Sequence, residues 1–165
     1  MKHITQEERW FLVNQLVELT KKEAKHLKLT TNRLKALQPD LKWVEALEEE
    51  IEYAEMLDAF VSRFSRLQDT LGDKLLPALL RVSLEKTGSQ LDNLLKAEKM
   101  GWISSAESWI EMRSLRNKVV HEYMDSAPDL LQALIMAIKI SELLIQIQQN
   151  LTQYTTQLQQ ALLDK

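Results

Sequence analysis

The stretch Arg113-Ser114-Leu115-Arg116-Asn117-Lys118-Val119-Val120-His121-Glu122-Tyr123 gathers the side chains best suited to chemistry in this chain. Arginine presents a fixed fork of donors to a phosphate and keeps its charge at neutral pH. Histidine exchanges a proton near physiological pH. Asparagine can orient an imidazole or a substrate hydroxyl, and tyrosine can stack on a base or donate to phosphate. Arg116, Asn117, His121 and Tyr123 therefore suit phosphodiester chemistry. Metal-free RNA cleavage needs a base for the 2′-hydroxyl, a cation for the phosphate and an acid for the leaving oxygen.

On a helix turning about 100° per residue, Arg116 and Tyr123 nearly overlay, and Asn117 and His121 form the adjacent row. His121 lies roughly 140° round from Arg116. Met112, Leu115 and Val119 fall on the other flank and are expected in the core, with Trp109 close to the Arg116 row. One copy supplies one such histidine. A twofold pairing would supply a second, because an isologous interface sets identical residues opposite each other. The same four residues near a helix end also suit a capping or surface network with no catalytic task. Metal binding has less support. His121-Glu122 lacks the second histidine of H-E-x-x-H, and Asp125 does not complete a site; no metal and no cofactor are expected.

The elements that must hold this stretch are helical. Only three glycines and three prolines punctuate 165 residues, which favours long helices over a many-turned β fold. Apolar residues make up 45% of the chain and charged residues 27%, a mixture that buries a core rather than staying disordered. This length suits a single domain over 1–165. A net charge of -3 excludes a histone-like binder but leaves room for a local basic groove. Cysteine is absent, so disulfides and thiolate metal sites are excluded. The first residues carry no apolar segment behind Lys2, so no secretory leader is expected. No uninterrupted apolar run approaches bilayer length. The expectation is a soluble cytoplasmic protein without a membrane partner.

Thr5 with Glu8 makes a capping-box pattern, opening a helix expected to reach Leu27 or Leu29. Thr30-Thr31-Asn32 weakens the pattern, and Leu34 to Leu37 reads as a continuation or a separate turn. Asp40, after Pro39, caps a second helix expected to run to Leu71, about 48 Å, and to end near Gly72. Glu48-Glu49-Glu50 reads as a solvated face. Arg63, Arg66 and Asp69 recur every third residue, either as an exposed charge ladder or as a wall beside the motif in which Asp69 restrains an arginine. Lys74 to Leu84 forms a short apolar helix with Pro77 in its first turn. Ser89 caps the next, and Ser104 or Ser105 begins the motif helix. The last helix follows Ser126-Ala127-Pro128. From Gln146 it turns glutamine-rich, while Leu151, Tyr154, Leu158 and Leu162 keep helical spacing. The whole is an all-α antiparallel bundle of about five to six helices.

At Arg116-Asn117-Lys118-Val119-Val120-His121-Glu122-Tyr123 the chain resembles the HEPN superfamily, all-helical domains with an R-x4–6-H motif. The R-x4-H-x-Y form, with Leu115 before it and Val119-Val120 inside it, is similar to HEPN toxins paired with minimal nucleotidyltransferase antitoxins. Outside the motif the likeness is loose and rests on helix order. The resemblance implies a four-helix up-and-down core and a homodimer whose motifs meet in a cleft. It also implies an endoribonuclease that cleaves RNA without metal. On that reading Arg116 and His121 act on the scissile phosphate and 2′-hydroxyl, and Asn117 positions them. Tyr123 matches the tyrosine that a cognate nucleotidyltransferase antitoxin adenylylates, adding bulk and negative charge where RNA phosphate must enter. Arg63, Arg66, Asp69 and Arg113 are candidates to line the cleft. Some relatives with the motif are nucleotidyltransferase-binding subunits. The alternative is therefore a non-catalytic partner that presents nucleotide or substrate to a nucleotidyltransferase.

Overall fold

The computed structural model describes residues 3–165, apart from the side chains of 122–125. Helix α1 spans Gln6–Leu37 and α2 Leu41–Glu45. Helix α3 covers Ile51–Asp69, a widened π turn Thr70–Leu75, and α4 Leu76–Val82. Helices α5, α6 and α7 cover Gln90–Lys99, Ala106–Asp125 and Ala127–Leu163. The described chain is all-α, as its composition predicts.

Four of these helices form a ring in which α1 meets α3, α3 meets α6, α6 meets α7, and α7 returns to α1. Long-range hydrogen bonds fix the directions. Arg63 reaches back to His26 O, and Thr70 to Glu23, so α3 runs antiparallel to α1. Thr31 Oγ1 lies 3.1 Å from Ser141 Oγ and Gln148 Nε2 3.3 Å from Thr20 Oγ1, making α7 antiparallel to α1 as well. Ridges of Leu, Val and Phe fill the interior, including Leu27, Leu34, Phe60, Leu67 and Leu134. Burial of each such side chain contributes about 1.5–3 kcal/mol.

Local start signals act where the residue types place them. Thr5 and Glu8 exchange both capping-box bonds, Ser89 and Asp92 do the same, and Asp40 accepts from Trp43 N at 2.8 Å. Ser105, rather than Ser104, caps α6 by accepting from Ser108 N. Ser126 caps α7, with Pro128 in its first turn.

Three expectations are corrected by packing. Helix α1 does not weaken at Thr30-Thr31. Thr30 Oγ1 donates to His26 O and accepts from Arg63, and Thr31 pairs with Ser141, so both hydroxyls are satisfied inside the bundle. The expected rod from Asp40 to Leu71 is broken. After α2 a 3-10 turn, Ala46–Glu48, leads through Glu49 and Glu50 into α3. The bend lets Trp43 stack on Tyr53 with ring centroids 5.3 Å apart and lets α2 reach α7. Glu48-Glu49-Glu50 is exposed, as expected of a solvated run, but it marks the bend.

Gly72 does not end the rod either. The backbone widens there so that Leu76 N–H bonds Leu71 O, five residues back, and α4 follows without a loop. Pro77, one turn on, has no N–H to return to residue 73, and such widened turns accommodate that defect. The space at Gly72 is used by Trp109: a Cβ on Gly72 would lie 2.9 Å from the buried indole.

Among the described residues, α7 is long and apolar enough by length and composition to cross a membrane. An 18-residue window has mean hydropathy 1.8, and 44% of that window is buried in the fold. Scattered polar residues interrupt every apolar run in this helix without lowering the mean far.

Candidate functional site

Helix α6 carries the motif and lies in the groove between α3 and α7. Trp109, Met112 and Val119 are buried along one stripe, and Leu115 packs at its margin. Arg116 belongs to that stripe more than to the outer face. Its position is about 20° from Trp109 on the wheel, and its side chain is 17% exposed. The arginine stem lines a small apolar hollow with Phe60, Phe64, Val119 and Ala137. Long cationic side chains bury their stems in this way and keep the charged head at the edge.

The head is held from α3. Arg116 Nη1 donates to Asp69 Oδ1 at 2.8 Å, and Nε reaches Asn117 Oδ1 at 3.5 Å. One turn earlier, Arg113 Nη2 lies 3.4 Å from both carboxylate oxygens of Asp73 and 3.6 Å from Asp69 Oδ1. Gln90, at the start of α5, donates to Asp73 and accepts from Arg113. Asp69 and Asp73 are four apart on one helical path; Arg113 and Arg116 are three apart on the other. Two cations thus meet two carboxylates in a strip along the α3–α6 seam. Asp69 is 49% exposed, so solvent screens the pair and its stabilisation is at most about 1 kcal/mol.

Asn117 and His121 lie on the outer face of α6, both exposed. Ile110 and Val120 beside them are also exposed, at 45% and 56%. That face therefore mixes polar groups able to act on a substrate with apolar area open to a partner surface. The backbone at Tyr123 is helical, while its side chain lies outside the described residues. Among the described residues, no group of three or more His, Asp or Glu side chains comes together as a metal site requires.

No family model, curated protein or solved structure matches this chain.

The expected wall splits in two. Asp69 does restrain an arginine, holding Arg116 closely and Arg113 more loosely. Arg63 instead faces α1, donating to His26 O at 3.1 Å and to Thr30 Oγ1. Arg66 is exposed and makes no ion pair among the described residues. It does act electrostatically on Glu23, which burial pushes above the usual carboxylate range, while the Thr70 hydroxyl, Arg66 and Lys74 pull the other way. Asp73 and Gln90 were not expected in the network. Asp73 follows Asp69 by one turn, a signal hidden by ending the helix at Gly72.

Proposed function

We propose that this chain is a metal-independent endoribonuclease of the HEPN toxin type, acting as a homodimer and silenced by a cognate nucleotidyltransferase antitoxin. The observation that carries the reading is the division of labour on α6. A guanidinium suited to phosphate is anchored by Asp69 at the seam, and an exposed histidine follows five residues later with Asn117 between.

In this mechanism the Arg116 guanidinium binds the scissile phosphate and stabilises charge that develops on its equatorial oxygens. Neutral His121 accepts the proton of the 2′-hydroxyl, whose oxygen attacks phosphorus and expels the 5′-oxygen. A protonated histidine, supplied by His121 of the second copy, gives a proton to that leaving oxygen. The products are a 2′,3′-cyclic phosphate and a free 5′-hydroxyl. The roughly 140° between Arg116 and His121 leaves one helix with half a cleft, so the second copy completes it. Exposed Ile110 and Val120 are suited to burial between the two motif helices.

The test is cleavage of a labelled RNA in EDTA buffer by wild type, His121→Ala and Arg116→Lys. Wild type should cut and both variants should not, with unchanged far-UV circular dichroism. Equal cleavage by wild type and His121→Ala sinks the reading.

A second reading has its own support in the charge balance. Asp69 and Asp73 already neutralise Arg116 and Arg113, which suits a non-catalytic partner presenting substrate to a nucleotidyltransferase. Tight association with such an enzyme, and no RNA cleavage by the isolated wild type, would favour it.

A further inference from the structure

Basic residues in this acidic protein are not evenly spread. Between residues 21 and 35, α1 carries Lys21, Lys22, Lys25, Lys28, Arg33 and Lys35 against one carboxylate, Glu23. Glu23 is buried toward Thr70 of the π turn and so does not offset the outer face. Lys21, Lys25 and Lys28 recur at helical spacing along one lip of a groove of about 450 Å³ between α1 and α7. Gln149 and Gln153 form the opposite lip, and Ile145 lies in its wall.

The glutamine-rich half of α7 offers this row no carboxylate. From Leu143 to Leu163 that helix carries no charged residue, the last being Glu142, which pairs with Lys35 outside the groove lining. Lys21 pairs with Glu18 at 3.0 Å, outside the groove lining. The groove therefore joins three ammonium groups, of which Lys21 is paired with Glu18, to a neutral lip of amide donors. A concave surface with charge of one sign concentrates counter-ions and anionic ligands.

We propose that this α1–α7 groove binds the phosphodiester backbone of single-stranded RNA. The lysine row is about 10 Å long, and each of its ammonium groups can meet one phosphate of a strand laid along it. The described lining is lysine, glutamine, threonine and aliphatic side chains, which suits recognition of the backbone independent of sequence. The α1–α7 seam is the edge of the four-helix ring opposite the α3–α6 seam that holds Arg116 and Asp69. The groove is thus an anchoring surface separate from the motif. RNA as its occupant rests on the proposed ribonuclease reading; the phosphate chemistry of the groove does not.

The experiment measures binding rather than cleavage. Full-length His121→Ala protein is titrated into a fluorescein-labelled 20-nucleotide oligouridine across a salt series. The comparison proteins carry Lys21→Gln, Lys25→Gln and Lys28→Gln together, or the three arginine replacements. The glutamine variant should bind about tenfold or more weakly at low salt, with the log–log salt slope reduced by about 2, since each single-strand phosphate contact contributes about 0.7. The arginine variant should bind like the parent. An unchanged affinity and slope in the glutamine variant overturns the proposal, as does loss of binding in the arginine variant. Full competition by tripolyphosphate at equal phosphate concentration assigns the groove to free polyphosphate and rejects RNA. Lysine-dependent flotation with phosphatidylserine vesicles that RNA does not compete assigns it to lipid and likewise rejects RNA. Lysine-dependent RNA binding by a wild type that cleaves nothing would uphold the groove and defeat the nuclease reading. Cleavage with unaltered binding by the glutamine variant would do the reverse.

Discussion

Arg116 Nη1 and Asp69 Oδ1 stand 2.8 Å apart and tie the motif helix to α3. The bond joins residues 47 positions apart in sequence and sets where the guanidinium head sits while its stem rests among Phe60, Phe64 and Val119. Asp69→Ala should leave the fold intact, lowering stability by no more than about 1 kcal/mol because the aspartate is half exposed. Its effect on RNA cleavage should be larger. A guanidinium no longer held should lower kcat on the order of tenfold. KM should not rise, since removing a carboxylate does not weaken phosphate binding. Steady-state kinetics on a labelled RNA separate the two parameters, and an unaltered kcat would remove Asp69 from any positioning role.

His121→Ala should change stability by no more than about 1 kcal/mol, because His121 is exposed and solvent screens the polar contacts of an exposed side chain. Arg116→Ala should cost about 1 kcal/mol or more, through lost stem packing as well as lost charge. Urea unfolding midpoints would check both. Together they show which variant reports on chemistry and which also reports on folding.

Gly72→Ala should destabilise by about 1–3 kcal/mol, the usual range for overpacking. In an ordinary exposed helix the same change gains up to about 1 kcal/mol from propensity. Here the added Cβ would lie 2.9 Å from the Trp109 indole, which is 1% exposed and has little room to move. Thermal unfolding decides the sign; a raised midpoint would mean that the indole shifts freely.

Glu23 predicts a pH dependence of definite sign. Burial raises its folded pKa above the ordinary value of 4.5. The folded state therefore holds its proton at pH values where the unfolded chain has lost it. This contribution to stability is fully present below pH 4.5 and is lost as pH rises through the folded pKa. Glu23→Gln keeps a side chain able to meet Thr70 and removes the charge. It should be more stable than wild type near pH 8, on the order of 1 kcal/mol, with the difference vanishing in acid. Denaturant unfolding of both proteins across pH 4 to 8 measures the difference, and a parallel pair of profiles would refute it.

The local features of this fold were legible in the residues themselves. Thr5 with Glu8, Asp40, Ser89 and Ser126 each cap a helix by bonding a backbone N–H three positions away. Such signals are short-range, so the sequence alone determines them. The apolar repeat likewise placed Met112 and Val119 in the core and left Asn117 and His121 outside. What the chain could not reveal in isolation depends on partners distant in sequence. Thr30 and Thr31 remain helical because Arg63 and Ser141 satisfy them. The bend at Glu48 to Glu50 follows from Trp43 finding Tyr53, and the widened turn at Gly72 receives Trp109. The same limit applies to the site. Spacing singled out Arg116, Asn117 and His121 as candidates, but only packing decided that Arg116 lies over the core with Asp69, and that Arg63 turns to α1. A wheel gives each side chain its angle on its own helix; which helix it meets is settled by how the bundle closes.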